Sequence, residues 1–239
     1  MSSNGIDFRS RAQLTEFMDE PCSRDELRLC LRDIARLNRW FLAYRPTLDW
    51  LNTIVSTPPA SPLSILDVGC GYGDTLRRVA RWARSHCIAV ELTGLDINPD
   101  TIAIAAEATP VAIPIRWIAA DIFVYHPEES FQIVISSIFT HHLSEPEIVR
   151  FLQWMERYTT LGWFVNDLSR APIPYHLLRV FSKFAHLHPF VQHDGPVSIA
   201  RAFVPQDWQR MCASAGINGS ASIQPYKPAR LCVARRKPQ

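Results

Sequence analysis

The sequence of 239 residues predicts an α/β fold: a seven-stranded, mostly parallel sheet with helices on both faces and an antiparallel last strand. Two observations lead to this prediction. From residue 63 onward, strand-like apolar runs alternate with helix-like segments, which is the order expected of parallel strands joined by crossover helices. Near the end, strand-like segments at 220–226 and 230–235 are joined only by Lys227-Pro228-Ala229, and so short a connection permits only an antiparallel hairpin.

The composition is that of a globular protein, with 47% hydrophobic and 20% charged residues. No apolar run approaches the roughly 18 residues that a membrane span needs, and a formal net charge of +2 is too small to draw in nucleic acid over a distance. We therefore expect a small-molecule partner, no nucleic acid and no integral membrane segment, in a monomer or homodimer. The N-terminal residues lack the pattern of a secretory signal, which predicts a cytoplasmic location.

Residues 1–62 predict a helical appendage and a linker that precede the domain at residues 63–239. Ser23 is expected to cap a first helix, because Glu26 three positions later completes a capping box, and the apolar residues between 23 and 56 recur at helical spacing. The run from Thr57 to Pro62 contains three prolines, which end the helical region because proline cannot donate a backbone hydrogen bond.

The domain then alternates between strands and helices until residue 170. Residues 170–203 interrupt this order and are long for a bare loop, and apolar residues at helical spacing between Tyr175 and His186 predict a helical lid. The sequence predicts strands at 64–68, 90–96, 115–121, 131–136 and 162–167, and helices at 74–84, 99–108, 145–158 and 206–215.

A glycine-rich turn, Asp67-Val-Gly-Cys-Gly-Tyr-Gly73, follows the first strand directly. Glycines let the backbone bend sharply and approach a bound group closely. Asp74 stands where a dinucleotide fingerprint has its third glycine, which argues against NAD or FAD, and no G-K-[ST] follows, which excludes a phosphate loop. The next strand ends in Asp96, 23 residues after Gly73, where a carboxylate can accept hydrogen bonds from the hydroxyls of a ribose.

The segments Ile65–Gly73, Gly94–Pro99, Ala119–Ile122 and Phe131–Ser137 resemble the successive signatures of class I S-adenosylmethionine-dependent methyltransferases, near the ubiquinone and menaquinone enzymes. The resemblance spans residues 64–168 and implies S-adenosylmethionine as cofactor on a seven-stranded sheet with an antiparallel final strand. It also implies cofactor-binding roles for particular residues: Asp67 near the methionine amino group, Gly69, Gly71 and Gly73 against the cofactor, Asp96 on the ribose, Asp121 on the adenine amino group, Ile97 and Ile122 on the adenine faces, and Ser137 at the methionine end.

The acceptor is expected above the loops that follow the fourth and fifth strands, because ligands of open α/β sheets bind at the carboxyl ends of the strands. His141 and His142 follow the fourth strand, and neighbouring residues do not easily face the same pocket, so they are alternatives to each other and to His193 as a catalytic base. His193 precedes Asp194-Gly195-Pro196, which predicts a turn. Scattered histidines without an acidic cluster, and cysteines without a C-x-x-C pair, predict no metal. Expected substrate contacts are Asn38, Tyr44, Asp167 and Arg201, with Trp40 and Phe41 closing over the site.

The expected reaction is in-line displacement at the sulfonium methyl group, for which the protein chiefly supplies alignment. O-methylation of a phenolic, aromatic or polyketide-like compound of secondary metabolism is favoured, with a histidine as general base. The chain lacks the N/D-P-P-Y/F tetrapeptide and the Pro-Cys pair of nucleic-acid and protein methyltransferases after its fourth strand. C-methylation of a quinone-like acceptor, a non-catalytic cofactor-binding scaffold and an NAD-dependent oxidoreductase remain as alternatives.

Overall fold

The computed structural model describes residues 6–55 and 59–238. Its centre is a seven-stranded sheet in the order β3-β2-β1-β4-β5-β7-β6. The first five strands run parallel, and β7 is antiparallel to both of its neighbours, which confirms the predicted fold class. The strands are β1 (Leu63–Val68), β2 (Val90–Asp96), β3 (Ile115–Ala119), β4 (Phe131–Ser137), β5 (Thr159–Leu168), β6 (Ser222–Tyr226) and β7 (Arg230–Arg236).

Helices cover both faces of the sheet and bury two apolar clusters. One cluster unites the helix at 45–54 and the helix at 74–85 with β1 and β2. The other unites the helices at 145–158 and 205–214 with β4, β5 and β7. The helices are α1 (Arg24–Trp40), α2 (Arg45–Ile54), α3 (Asp74–Ser85), α4 (Pro99–Glu107), α5 (Glu145–Tyr158), α6 (Pro172–Phe184), α7 (Pro189–Arg201) and α8 (Pro205–Ser214), with 3-10 turns at Phe17–Asp19 and Thr140–His142.

The N-terminal region contains two helices. The predicted capping box is present, since the Ser23 side chain accepts a hydrogen bond from the Glu26 backbone and Glu26 reaches back to Ser23. Leu27 and Leu31 of α1 pack on Ile104 of α4, so α1 lies over the glycine turn's side of the sheet. Part of the predicted proline-rich linker, residues 56–58, lies outside the described residues, and the proposed division at residue 62 stays a prediction.

The segment predicted to form a lid, residues 170–203, contains the two helices α6 and α7, and its function as a lid stays a prediction. The predicted turn at His193–Pro196 is wrong, because these residues lie inside α7 and Pro196 is an internal helical residue. Burial of apolar side chains along α7, including Val191 and Ile199, outweighs the local turn preference of a Gly-Pro pair. Tertiary packing of this kind routinely overrides intrinsic propensity.

The helices and the cysteines show the general character of the chain. Across residues 6–55 and 59–238, no helix combines the length and the apolar character of a bilayer span. All six cysteines are free thiols in this structure. One of them, the buried Cys30, lies with its Sγ 2.9 Å from Nδ1 of His188, so this thiol contributes to holding α1 against the lid.

Candidate functional site

The glycine turn connects β1 to α3 at the carboxyl edge of the sheet. Gly69, Gly71 and Gly73 have φ values of 69°, 49° and 72°, which lie in the left-handed region that disfavours other residues. A Cβ atom added to Gly69 would lie 2.5 Å from the ring of Phe139. One added to Gly73 would lie 2.4 Å from the ring of Trp117, so both positions require glycine for backbone conformation and for space.

Asp67 lies at the end of β1, directly under this turn, and is only 1% exposed. Its Oδ1 atom has no hydrogen-bond partner within the described part of the chain. Burial, together with the negative charges of Asp74 and Asp96, raises the pKa of Asp67 well above its ordinary range. A buried carboxyl group without a donor is costly, so this position is suited to a ligand that brings a cation or N–H donors.

Asp96 joins the end of β2 to the glycine turn. Its Oδ2 accepts a hydrogen bond from the backbone N–H of Gly71 at 3.1 Å, and its Oδ1 accepts one from Asn98 at 3.0 Å. Burial raises the pKa of Asp96, while these backbone hydrogen bonds oppose the increase. The structure thus brings Asp67, Asp96 and the glycines to one edge, as the sequence predicts, and each Asp96 oxygen keeps a lone pair for ribose hydroxyls.

The predicted adenine contacts are placed less uniformly. Asp121 accepts a hydrogen bond from the Phe123 backbone at 2.9 Å through Oδ1, so one of its oxygens caps a turn. Ile97 is 68% exposed and available to a ring, whereas Ile122 is buried in the core with Phe151. The Ile122 side chain therefore does core packing in this structure. Ser137 is half-buried at the end of β4, opposite Asn166 of β5.

His141 and Asp167 form a buried pair at the ends of β4 and β5. Nδ1 of His141 lies 2.8 Å from Oδ1 of Asp167, and Oδ2 accepts hydrogen bonds from the His141 backbone at 3.1 Å and from the Thr140 hydroxyl at 2.5 Å. Burial would raise the pKa of Asp167, but the His141 ring and these hydrogen bonds hold it well below its ordinary value. Asp167 therefore orients His141 and has no oxygen left for a substrate.

His142 lies beside His141, contrary to the expectation that neighbouring residues face different ways. The two ring centroids are 4.3 Å apart, because the 3-10 turn at Thr140–His142 directs both side chains toward Glu16. Nε2 of His141 and Nε2 of His142 each lie 3.8 Å from a Glu16 oxygen, and Nδ1 of His142 lies 3.4 Å from Asp19. His142 is one-third exposed and His141 is fully buried.

An N-terminal segment, residues 6–19, forms a strap across the histidine pair. Arg11 donates hydrogen bonds to the carbonyl oxygens of His141 at 3.1 Å and Leu143 at 2.9 Å. The backbone N–H groups of Phe17 and Met18 donate to the Asp194 carboxylate on α7 at 2.8 and 3.0 Å. The sequence does not point to Glu16, Asp19 or Arg11, because no local motif links them to residues more than 100 positions away.

Arg201 helps to hold the strap in place. Its Nη1 lies 3.0 Å from Asp19 and 3.6 Å from Glu16, so its charge is already compensated within the protein, and its predicted contact with an anionic acceptor stays a prediction. Ligand atoms of Glu16, His141 and His142 do lie within 4.8 Å of one another. However, the Arg201 cation and the Ser198 hydroxyl, which donates to Glu16 at 2.9 Å, already satisfy Glu16, and we assign no metal to this group.

His193 is separate from the pair at 141 and 142. Its Nδ1 lies 2.7 Å from Asp194, and its ring stacks on Phe17 with centroids 3.8 Å apart. Both of these contacts are with groups that fasten the strap to α7. The structure therefore gives His193 a role in holding the strap and does not place it beside His141.

The predicted N-terminal contacts Asn38 and Tyr44 reach the first residue of α3. The Tyr44 hydroxyl lies 2.6 Å from Oδ2 of Asp74, and the Asn38 amide donates to the same oxygen at 3.4 Å. Burial and the Asp74 charge raise the pKa of Tyr44, so its hydroxyl stays protonated as a donor. Trp40 and Phe41 are partly exposed at the end of α1 and contact Phe181 of α6, which joins the appendage to the lid.

Comparison with known proteins identifies the central part of this chain. Residues 65–162 match the family model described as a methyltransferase domain. Ajmaline N-methyltransferase of Rauvolfia serpentina is 29% identical over 118 residues, which cover 48% of this chain and 38% of that protein. Trans-aconitate 2-methyltransferase of Streptomyces avermitilis is 34% identical over 97 residues, which cover 39% of this chain and 34% of that protein. The chain thus spans less than two fifths of each of these curated relatives.

Solved structures share the whole fold. The plantazolicin methyltransferase BpumL, crystallised with S-adenosylhomocysteine (SAH), superposes with a TM-score of 0.63 at 12% identity, covering 89% of this chain and 96% of that one. At this identity the likeness shows the fold alone. Residues 65–162 thus match a methyltransferase domain, and the chain shares its Rossmann-like fold with methyltransferases of solved structure.

Proposed function

We propose that this chain transfers the methyl group of S-adenosylmethionine to a small molecule, at the hydroxyl oxygen of a phenolic, aromatic or polyketide-like acceptor. The observation that supports this proposal most directly is the unpartnered Asp67 carboxyl oxygen under a turn of three left-handed glycines. A dinucleotide would bring phosphates to this edge, where Asp67, Asp74 and Asp96 are all acidic. A sulfonium ligand with an ammonium group suits the same charges.

The residues present fit the methyl donor. When bound, S-adenosylmethionine supplies an electrophilic methyl group on a positively charged sulfur. Asp67 can accept hydrogen bonds from the ammonium group, and Gly69 and Gly71 present bare backbone to which a ligand can approach closely. Asp96 is held by the Gly71 and Asn98 backbones, so its lone pairs are pre-oriented for ribose hydroxyls without further loss of side-chain freedom.

His141 is the base that this arrangement favours. Asp167 accepts the hydrogen on Nδ1, which leaves Nε2 as the ring nitrogen that can take a proton from an acceptor hydroxyl. Nε2 faces Glu16 at 3.8 Å, so the strap covers the reactive nitrogen and must be displaced for an acceptor to reach it. A phenol has a pKa near 10, and removal of its proton by a placed base contributes about 10²- to 10⁴-fold.

Binding and product analysis test the proposed function. Titration calorimetry with S-adenosylmethionine, SAH and NADH is expected to give saturable binding for the first two only. Incubation with S-adenosylmethionine and a panel of phenols, catechols and naphthohydroquinones is expected to release SAH, and NMR of the product is expected to locate the methyl group on oxygen. Binding of NADH in place of SAH would contradict the donor assignment, and a methyl group on carbon would contradict the acceptor assignment.

The His141→Ala variant is expected to lose about 10²- to 10⁴-fold in kcat with the best phenol of that panel, because the proton acceptor is absent. SAH affinity is expected to change little, since His141 does not contact the glycine turn. The matched control is His126→Ala, at an exposed histidine beyond β3, which should retain full turnover. If His141→Ala keeps both its turnover and its pH–rate profile, His141 is not the base.

A further inference from the structure

Arg230 is a buried arginine at the same edge of the sheet as the candidate site. It is the first residue of β7 and pairs with Leu168, the last residue of β5, so it lies where β5 delivers Asp167. It is 7% exposed, and Nη2 lies 3.5 Å from Oδ1 of Asn38. The Asn38 amide in turn donates to Asp74 beside the glycine turn, which connects Arg230 to the ligand edge.

The Arg230 guanidinium is not satisfied by the residues the structure describes. Nη1 is buried and has no hydrogen-bond partner, and the long contact with Asn38 is its one side-chain hydrogen bond within residues 6–55 and 59–238. Burial lowers the pKa of Arg230, while the Asp167 charge opposes this. Asp167 does not pair with it, because its oxygens already bind Thr140, His141 and the Leu168 backbone.

Arg170 shows how this chain satisfies a buried arginine whose role is structural. Arg170 is 4% exposed, and its Nη1 donates to Asp207 at 2.8 Å and to the Ala202 carbonyl at 2.6 Å. Its Nε donates to the Phe8 carbonyl at 3.0 Å. A buried charge without such partners is strongly unfavourable, so Arg230 differs from Arg170 in lacking the anion that would compensate it.

We propose that Arg230 binds a carboxylate group of the ligand in the methyltransferase site. A guanidinium fork matches a carboxylate with two parallel hydrogen bonds, which would satisfy Nη1 and Nη2 together. The proposal rests on the proposed function, because that function brings ligands to this edge of the sheet.

The sheet order favours the acceptor as the source of the carboxylate. β4 and β5 separate β7 from β1, so Arg230 starts about 14 Å, or three strand spacings, from the strand that carries Asp67. The donor is expected over β1 and β2, whereas β5 and β7 border the acceptor. A carboxylated phenol, such as a hydroxybenzoate, is therefore the acceptor class that Arg230 would select. The methionine carboxylate of the donor is the other source of the same chemistry.

The first test measures the stability of the ligand-free protein. The Arg230→Gln variant removes an uncompensated charge. We therefore expect its Tm to be no lower than that of the wild type and as much as ~2–4 °C higher. The control Arg236→Gln, an exposed arginine on the same strand, should leave Tm unchanged. A fall in Tm for both Arg230→Gln and Arg230→Lys would show a structural role like that of Arg170 and would overturn the proposal.

The second test measures binding by calorimetry in two arms. In the acceptor arm, benzoate and its neutral counterpart benzamide are titrated into protein saturated with SAH. In the donor arm, SAH is compared with 5′-methylthioadenosine, which lacks the amino-acid part. Loss of at least ~10-fold in benzoate affinity in Arg230→Gln, with benzamide unaffected, supports an acceptor carboxylate. In the donor arm, a loss of at least ~10-fold in the ratio of SAH affinity to 5′-methylthioadenosine affinity supports the donor carboxylate.

Failure of the Arg230 proposal can be distinguished from failure of the proposed function. Binding of SAH to the wild-type protein tests the donor site independently of Arg230, and failure there rejects the proposed function. If SAH binds and neither preference changes in Arg230→Gln relative to Arg236→Gln, Arg230 does not bind a ligand carboxylate. Arg230→Lys keeps the charge but loses the fork, so we expect it to recover only part of the affinity.

Discussion

Replacing Gly69 by alanine is expected to abolish SAH binding, whereas the same replacement at Gly219 is expected to leave it intact. The two glycines have nearly the same backbone conformation, with φ values of 69° and 68°. They differ in their surroundings, because a Cβ at Gly219 would have no atom within 4 Å, while one at Gly69 would lie 2.5 Å from the Phe139 ring. Gly219→Ala is therefore a control for backbone strain alone.

The stabilities of Gly69→Ala and Gly219→Ala distinguish the cost of backbone strain from the cost of overpacking. A left-handed alanine costs about 1–2 kcal/mol in either variant. Only Gly69→Ala adds the cost of overpacking, typically about 1–3 kcal/mol, because Phe139 is held edge-on against Phe151. Gly69→Ala should therefore unfold at a lower temperature than Gly219→Ala, at roughly 2–4 °C for each kcal/mol.

Calorimetry with SAH completes this prediction. Below the Tm of both variants, we expect affinity to fall at least ~100-fold in Gly69→Ala, since the added methyl group clashes with Phe139 and the turn that approaches the ligand must shift to accommodate it. Gly219→Ala should bind within ~2-fold of the wild type. Equal SAH affinities in the two variants would show that the turn does not contact the donor.

The sequence predicts well those features that depend on residues close together in the chain. The glycine turn, Asp96 at the end of the next strand and the capping box at Ser23 are all short patterns whose physical causes act over a few residues. The hairpin around Lys227-Pro228-Ala229 follows from chain connectivity alone.

The strap and the satisfaction of buried charges depend on residues far apart in sequence. Asp194 binds the backbone of Phe17 across 177 positions, and burial along α7 places His193 inside a helix where a turn was predicted. No periodicity or motif records such pairs. Arg230 differs from Arg170 only in what surrounds it, which the sequence does not show.

The loop after β4 shows a further limit of sequence reasoning. Ile138 has a φ of 53°, a conformation that a β-branched residue adopts only under strain. Its backbone N–H donates to the Asn166 carbonyl at 3.0 Å, which ties β4 to β5 at this point. The residues after it include Phe139, which lies against Gly69, and His141, which contacts Asp167, and strain of this kind is typical of functional sites.

The Asp167→Asn variant is expected to lose both stability and turnover. The asparagine amide cannot accept all of the hydrogen bonds from Thr140, His141 and Leu168, and each buried donor left unsatisfied costs about 1–3 kcal/mol. The control is Asp207→Asn, which breaks a comparable buried pair with Arg170 at 2.8 Å away from the histidines. Both variants should be destabilised, as chemical denaturation will measure.

The acid dependence of stability differs between the wild type and Asp167→Asn. Because the pKa of Asp167 is lower in the folded state, its ionised form stabilises the fold at pH values above its unfolded-state pKa of about 3.9. This contribution is lost as the pH falls from there toward the folded-state pKa. As the pH is lowered from about 5 to 3, the free energy of unfolding measured by chemical denaturation should therefore fall more steeply in the wild type than in Asp167→Asn.

Turnover distinguishes an orienting role for Asp167 from a purely structural one. Without the Asp167 carboxylate, Nδ1 of His141 no longer has a fixed hydrogen, so the proton-accepting tautomer is populated less and kcat is expected to fall about 10²- to 10⁴-fold. The pH–rate profile of turnover should shift along the pH axis at the same time. Asp207→Asn, assayed at a temperature where it is folded, should keep kcat within ~3-fold of the wild type. If both variants lose turnover only in proportion to their unfolded fraction, Asp167 holds the fold together and does not position a base.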